Sequence, residues 1–312
     1  MIKKAFIDLG TNTFQLLIVA QDGENYQKIH EDSYAAKIGL GGISSGIITE
    51  EGIQRAIVGL KYFQEKMDEV GGVTLENIFA TATSAVRNAK NGQAFCERIL
   101  EKTGIAINVI SGEEEAGLIY EGVKLGTKIG KSTSMILDIG GGSVEFIICN
   151  EDRIFWKQSF EIGGQRLMDK FMNSDPISPR SVQLLKNYLE EQLLPLTNAV
   201  HQYAPVSIIG SAGSFETLVD LYYMKEFGHL PPTEQVSFEL PLAEFYDSFL
   251  KIVAGNHEER MALPGMISLR VNMIVVAVVL IDFILKRYDI QQIKVSNFAL
   301  KEGVLSRHLG KI

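Results

Sequence analysis

Two short apolar runs open the chain, Ala5-Phe6-Ile7 and Leu16-Leu17-Ile18-Val19-Ala20, on either side of Asp8-Leu9-Gly10-Thr11-Asn12-Thr13. Apolar runs of this length flanking a Gly/Thr turn read as the strands of a β-hairpin. A third extended segment is predicted over 26–38, then a Gly/Ser loop from Gly39 to Gly46. Thr49 is a good N-cap for a helix over 50–70, because Ile53, Ile57, Leu60 and Met67 recur on one helical face. A buried strand over 78–82 leads into the polar turn Thr83-Ser84 and a helix carrying Arg87. Another strand, over 105–110, leads into Ser111-Gly112-Glu113-Glu114-Glu115, the start of a helix reaching about Leu125.

The polar, Gly/Lys-rich stretch 126–132 marks a domain boundary, and strands follow over 135–137, 144–149 and 153–160. Pro179 sits where a first-turn proline is tolerated, opening a long helix to about Val200. A buried strand over 206–209 enters Gly210-Ser211-Ala212-Gly213-Ser214 and a further helix. The segment 265–286 is apolar on nearly all sides, which predicts a helix central to its domain. A strand over 293–296 and a helix over 299–309 complete the reading. Hairpins first and strands alternating with helices afterwards, twice over, indicate α/β layers around mixed sheets.

The duplication is visible in the residues themselves. Ile7-Asp8-Leu9-Gly10-Thr11-Asn12-Thr13-Phe14-Gln15 returns as Leu137-Asp138-Ile139-Gly140-Gly141-Gly142-Ser143-Val144-Glu145. Each copy ends an apolar run in Asp and passes through a turn of short side chains. Glycines there permit positive φ and close backbone approach, so the N–H groups can wrap a phosphate. Thr11, Asn12, Thr13, Gly140, Gly141, Gly142 and Ser143 are therefore candidate phosphate-binding residues. Asp8, Asp138 and Glu145 are candidate ligands of a divalent cation, and Glu145 differs from its first-copy counterpart Gln15 in charge. The Gly/Ser turn with Ser211 and Gly213 is a third candidate phosphate loop at a helix start. Arg87 can present a planar fork to phosphate or be a solvated helix residue. Ser111 and Glu114 fit a capping box, which leaves Glu115 as the carboxylate able to orient or deprotonate a water. The five histidines show no ligand spacing, and no Ser/His/Asp arrangement is legible.

Composition narrows the class. The 312 residues are 46% hydrophobic and 22% charged, enough for two domains with cores of their own. A net charge of −8 argues against a nucleic-acid binder and means that local donors must overcome the overall field to hold a polyanion. The apolar run 273–281 is too short to span a bilayer, and no signal peptide is expected at the N-terminus. Two cysteines without metal or redox spacing suit a reducing cytoplasm.

Seven segments, in order along nearly the whole chain, resemble the exopolyphosphatase / guanosine pentaphosphate phosphatase family of the actin-like superfamily. They are IDLGTNTFQLLI, ATSAVRNAKNG, ISGEEEAGLIYEGV, ILDIGGGSVEFII, SFEIGGQRL, GSAGSFETL and SNFALKEGVL. The resemblance implies two actin-like (ribonuclease H-like) α/β domains, 1–125 plus 301–312 and 126–300, with the active-site cleft between them. It implies Glu115 as the catalytic carboxylate, Asp138, Gly140 and Glu145 as metal or phosphate residues, and Arg87 as phosphate-facing. The implied activity is Mg²⁺-dependent release of terminal orthophosphate from inorganic polyphosphate. Hydrolysis of guanosine pentaphosphate, a non-catalytic polyphosphate or alarmone binder, and an ATP-dependent kinase of the superfamily are the alternatives. The chain resembles the short members that lack a helical C-terminal extension, and is compatible with a homodimer. Gly117 and Arg270-Val271-Asn272 depart from the family pattern, where Arg and Arg-Ala-Asp are usual, and leave substrate preference open.

Overall fold

The first apolar runs form β1 (Ile2–Leu9) and β2 (Phe14–Asp22), an antiparallel pair in register from Ile2↔Gln21 to Leu9↔Phe14. The computed structural model describes residues 1–23 and 25–310. β3 (Asn25–Tyr34) lies outside β2, and α1 (Glu50–Val70) starts where Thr49 Oγ1 accepts the Gly52 N–H at 3.1 Å. β4 (Ile78–Ala82) runs parallel to β1, followed by the single turn α2 (Ser84–Arg87), α3 (Gly92–Thr103) and β5 (Ile107–Val109). α4 (Gly112–Gly126) then leads into the second half. The sheet order is β3-β2-β1-β4-β5, with β2 alone antiparallel to its companions.

The second half repeats that plan. β6 (Ser134–Ile139), β7 (Val144–Cys149) and β8 (Ile154–Phe160) make the hairpin layers, and α5 (Gly164–Phe171), α6 (Pro179–Gln192) and α7 (Leu194–Tyr203) follow. β9 (Ser207–Ser211) pairs parallel to β6, and α8 (Gly213–Glu226) leaves its end. β10 (Ser237–Leu240), α9 (Leu242–Ala254), α10 (His257–Met261), α11 (Met273–Arg287) and β11 (Ile293–Ser296) complete the unit. The order β10-β11-β9-β6-β7-β8 is the first sheet's order with one added antiparallel edge strand, β10. Both are mixed sheets flanked by helices, with the ribonuclease H-like order of the actin-like fold.

Contacts divide the chain into Met1–Gly122 with the segment from Leu300, and Val123–Ala299. The division falls inside α4, three residues before the sequence boundary at 125/126. The last helix, α12 (Leu300–His308), belongs to the first unit, where the His308 ring lies 3.9 Å from the Phe79 ring, centroid to centroid. Each unit has its own apolar core. In the second, α11 is buried from Met273 to Leu285, and the buried Asp282 within it is ion-paired with Lys186 at 2.7 Å and Lys286 at 2.6 Å. A lone carboxylate on so apolar a helix would be costly without those partners.

Several expected elements are shorter than predicted, for local reasons. The third strand stops at Tyr34 because the Lys37 and Gly39 N–H groups turn onto the carbonyls of Asn12 and Thr11. The predicted helix over 179–200 breaks at Leu193, since Pro195 has no N–H with which to extend the α6 ladder. α11 begins at Met273 rather than 265, where Gly265 has φ of 96° and a Cβ would lie 2.8 Å from the Asp220 backbone. Only Ile107–Val109 of the segment 105–110 pairs with β4.

Candidate functional site

The Gly140–Ser143 turn is tied down by its carbonyls. Gly164, Gln165 and Gly163 N–H groups donate to the oxygens of Gly140, Gly141 and Gly142 at 2.9, 2.8 and 3.2 Å. Arg166 Nε adds a second donor to the Gly142 oxygen at 2.9 Å. A trans peptide points its N–H opposite to its C=O. The N–H groups of Gly141, Gly142 and Ser143 are thus turned together to the side away from α5. None of Gly140, Gly141 and Gly142 is among the positive-φ residues, and the close contact falls on the glycine of the strap. A Cβ on Gly163 would lie 2.4 Å from the Gly142 carbonyl carbon.

The first loop has the same construction. Gly39 N–H donates to the Thr11 oxygen at 3.1 Å and Lys37 N–H to the Asn12 oxygen at 2.8 Å, which turns the N–H groups of Asn12 and Thr13 away from that strap. Gly10 likewise has no positive φ. Thr11 is buried, and Asp8 stands at the end of β1 opposite Gln15 and beside Thr81 of β4.

At the equivalent place in the second unit, Asp138 stands opposite Glu145 and beside Ser211. Directly opposed residues project to the same face of a sheet, so the two carboxylates share one surface. Both are buried. Ser211 Oγ donates to Asp138 Oδ2 at 2.6 Å, and Ser159 Oγ to Glu145 Oε1 at 2.6 Å. The Ser211 hydroxyl, read from sequence as phosphate-binding, therefore positions Asp138. This all-oxygen, two-carboxylate set fits Mg²⁺, which takes one or two carboxylates and keeps water or phosphate oxygens as its other ligands. Among the described residues no group of three or more His, Cys, Asp and Glu side chains is placed to hold a metal, so an all-protein cage is not formed.

Arg87 and Glu115, 28 residues apart in sequence, meet in the first unit. Arg87 Nη1 lies 2.7 Å from Glu115 Oε2 and donates to the Ile110 carbonyl at 3.2 Å. Glu115 is 6% exposed, in the first turn of α4, and its N–H donates to the Ser111 carbonyl. The expected capping box is half made. Ser111 Oγ accepts the Glu114 N–H at 3.1 Å, but the Glu114 carboxylate pairs with Arg307 at 2.6 Å instead of returning to the cap.

The start of α8 adjoins a cation that sequence reasoning did not assign. A Cβ on Gly213 would lie 1.9 Å from Arg270 Nη2, so the missing side chain makes room for the guanidinium. Burial of its charged end draws the Arg270 pKa down, while the negative charges of Glu216 and Asp138 oppose that shift. An arginine remains protonated under such conditions, so it is a fixed positive charge near Asp138. Ala212, the residue before α8, has φ of 66°. A non-glycine residue in that region is strained, and such strain persists where surroundings impose it. The only local hint was the Gly-Ser-Ala-Gly-Ser turn itself; Arg270 approaches it from a distant stretch of chain.

No helix among the described residues is long and apolar enough to cross a membrane. A putative exopolyphosphatase of Haemophilus influenzae is 26% identical over 302 residues, 96% of this chain and 90% of the relative. A bifunctional 3-dehydroquinate synthase/phosphatase of Fusobacterium nucleatum is 33% identical over 70% of this chain and 34% of its own length. Among solved structures, an exopolyphosphatase from Cytophaga hutchinsonii superposes with a TM-score of 0.95 at 41% identity, covering 99% of this chain and 98% of its own. The Aquifex aeolicus Ppx/GppA family member gives a TM-score of 0.78 at 25% identity, covering 99% of this chain and 98% of its own. The model of the Ppx/GppA phosphatase family matches residues 17–312, and with these relatives it places the chain in that family of phosphatase enzymes.

Proposed function

We propose that the protein is an exopolyphosphatase, releasing terminal orthophosphate from inorganic polyphosphate. The observation that carries this reading is the Gly140–Ser143 turn, whose three glycine carbonyls are strapped to the start of α5 so that three successive N–H groups point the other way. Such a backbone concavity suits a phosphoryl group and reads no base or sugar. A chain of identical phosphoryl units asks for no more than that. The strap on the first loop, and the similarity to exopolyphosphatases across nearly the full chain, favour the same substrate class.

Phosphoryl transfer needs positioning and charge neutralisation more than covalent help from protein. In the second unit the turn binds phosphate oxygens, and Asp138 and Glu145 would hold Mg²⁺. When bound, that ion supplies positive charge against the oxygens on which negative charge accumulates. In the first unit Glu115 accepts a hydrogen bond from the attacking water and takes its proton. Arg87 fixes the carboxylate, and the Ile110 carbonyl fixes Arg87. The water oxygen bonds to the terminal phosphorus as the bridging P–O bond breaks, leaving orthophosphate and a chain one unit shorter.

The deciding experiment follows orthophosphate release with Mg²⁺ from polyphosphate and from guanosine pentaphosphate. Faster turnover of polyphosphate is expected; a higher kcat/KM for the nucleotide would replace the proposal with the pentaphosphatase reading. Tight polyphosphate binding without release would identify a non-catalytic binder. Glu115→Gln should lower kcat on the order of 10²- to 10⁴-fold. Near wild-type release by that variant would remove Glu115 from the role of base.

A further inference from the structure

The first unit holds a cavity of about 170 Å³ whose wall includes Phe79, Asn108, Ile110, Leu118, Arg307 and His308. None of the residues assigned above to phosphate, metal or water lines it. A volume of that order accommodates one benzene-sized ring in apolar surroundings. The walls suit a ring as well. Ile110 and Leu118 are buried aliphatic side chains, and the Phe79 and His308 rings meet with centroids 3.9 Å apart and planes inclined at 37°. Two cations stand at this aromatic pair. Lys4 Nζ lies 5.8 Å from the Phe79 ring centroid, and Arg307 is the chain neighbour of His308 and itself part of the wall. The acid that reaches this group, Glu114, is held by Arg307 at 2.6 Å.

We propose that this cavity is a binding site for a small aromatic monocarboxylate, its ring against Phe79 and His308 and its carboxylate between Arg307 and Lys4. Ring and charge are both required: an aliphatic or inorganic anion forfeits the aromatic contact, and a neutral aromatic forfeits a charge-assisted hydrogen bond to the cations. The protonation of His308 is consistent with a positive local field. Its pKa is drawn below the ordinary histidine value, first by burial and then by the charges of Lys4 and Arg307. The charged groups facing His308 are Lys4 from β1, Arg307 from α12 and, through its ion pair, Glu114 from α4; β4 and β5 contribute Phe79 and Asn108, which do not titrate.

The test is a titration of the full chain, with its histidine rings isotope-labelled, by sodium benzoate followed by NMR. The His308 signal is assigned by its loss in His308→Gln. Benzoate should shift that signal saturably and raise the His308 pKa, because an added carboxylate favours the imidazolium form. Benzamide and inorganic phosphate, each lacking one of the two features, should bind at least about tenfold more weakly. Arg307→Gln should weaken benzoate about tenfold and leave benzamide unchanged. Ala106→Trp, placed at an exposed residue of the wall, should abolish the shift while the melting temperature stays near wild type. Absence of a saturable His308 shift, equal affinity for benzamide, or retained benzoate binding in folded Ala106→Trp would each overturn the proposal. The result is independent of the phosphatase assay, so either reading can fail without the other.

Discussion

In the first unit Asp8 stands opposite Gln15 and beside Thr81; in the second Asp138 stands opposite Glu145 and beside Ser211. The strand register is the same in both, and in both a later segment ties off the loop carbonyls so that N–H groups turn the other way. The side chains then diverge. The second unit places two buried carboxylates on one face, each held by a serine hydroxyl, and brings in Arg270 from a distant stretch. The first places a single carboxylate there, and its cation, Arg87, sits on the one-turn helix directly after the fourth strand and clamps Glu115. What both halves share, a loop whose strapped carbonyls turn its N–H groups to the other side, is written into the duplicated frame. What differs, a pair of serine-held carboxylates in one and an arginine-clamped carboxylate in the other, is written into single residues on that frame.

The sharpest way to break this comparison is to make the second loop chemically like the first. Glu145→Gln leaves the amide oxygen able to accept from Ser159 but removes one of the two carboxylate charges. Phosphate release should fall on the order of 10²-fold, and the Mg²⁺ concentration needed for half-maximal rate should rise. The reciprocal change, Gln15→Glu, should not raise the rate or lower the Mg²⁺ requirement. If Glu145→Gln kept an unchanged Mg²⁺ dependence, the division of labour between the units would be wrong.

A second test addresses the straps. Gly163→Ala sets a Cβ against backbone atoms of Gly141 and Gly142, at 2.5 and 2.4 Å, and backbone cannot step aside without moving the turn. Gly39→Ala meets mainly the Thr11 methyl at 2.4 Å, a side-chain atom able to rotate. Urea unfolding should therefore show a loss of about 1–3 kcal/mol for Gly163→Ala, the usual range for overpacking, and less for Gly39→Ala. Phosphate release should fall more steeply for Gly163→Ala as well. Equal losses would mean that the straps do not differ in stiffness.

These contrasts also show what a sequence can carry. Both hairpins were legible because apolar runs ending in Asp and a Gly-containing turn are local signals, and α11 was legible because no polar face competes with its burial. The helix break at Leu193 was missed although Pro195 stood two residues on, because the flanking apolar period continued through it. α3, α5 and α9 went unassigned, being short amphipathic stretches between stronger features. Loop glycines are legible as devices for positive φ or for close backbone approach, and the structure shows the close approach, at Gly163 against the Gly142 backbone. That distinction depends on which segment returns to the loop, and returning segments leave no mark in the loop's own residues. Arg270 escaped for the same reason, since its contacts with the α8 start are made only by the fold.

The smallest expected effect comes from a helix that has no full counterpart in the first unit. α2 is a single turn, whereas α8 runs on to Glu226 and carries Asp220 one turn after Glu216. Burial, and then the Glu216 charge, raise the Asp220 pKa to about 6 from an ordinary 3.8. A carboxyl whose folded pKa lies above its unfolded value favours the fold fully below the unfolded pKa. That contribution is lost as pH climbs through the folded pKa, here between about 4 and 6. Above that window the ionised Asp220 is a standing destabilisation, softened by the solvent that still reaches it. Asp220→Asn should therefore stabilise the protein at pH 7.5 by ~1 kcal/mol once screening is allowed for, and by much less at pH 4. Unfolding free energies at the two pH values would show it. A gain of the same size at both would assign the effect to packing beside Gly265, whose Cα faces the Asp220 backbone, rather than to a carboxyl forced to ionise.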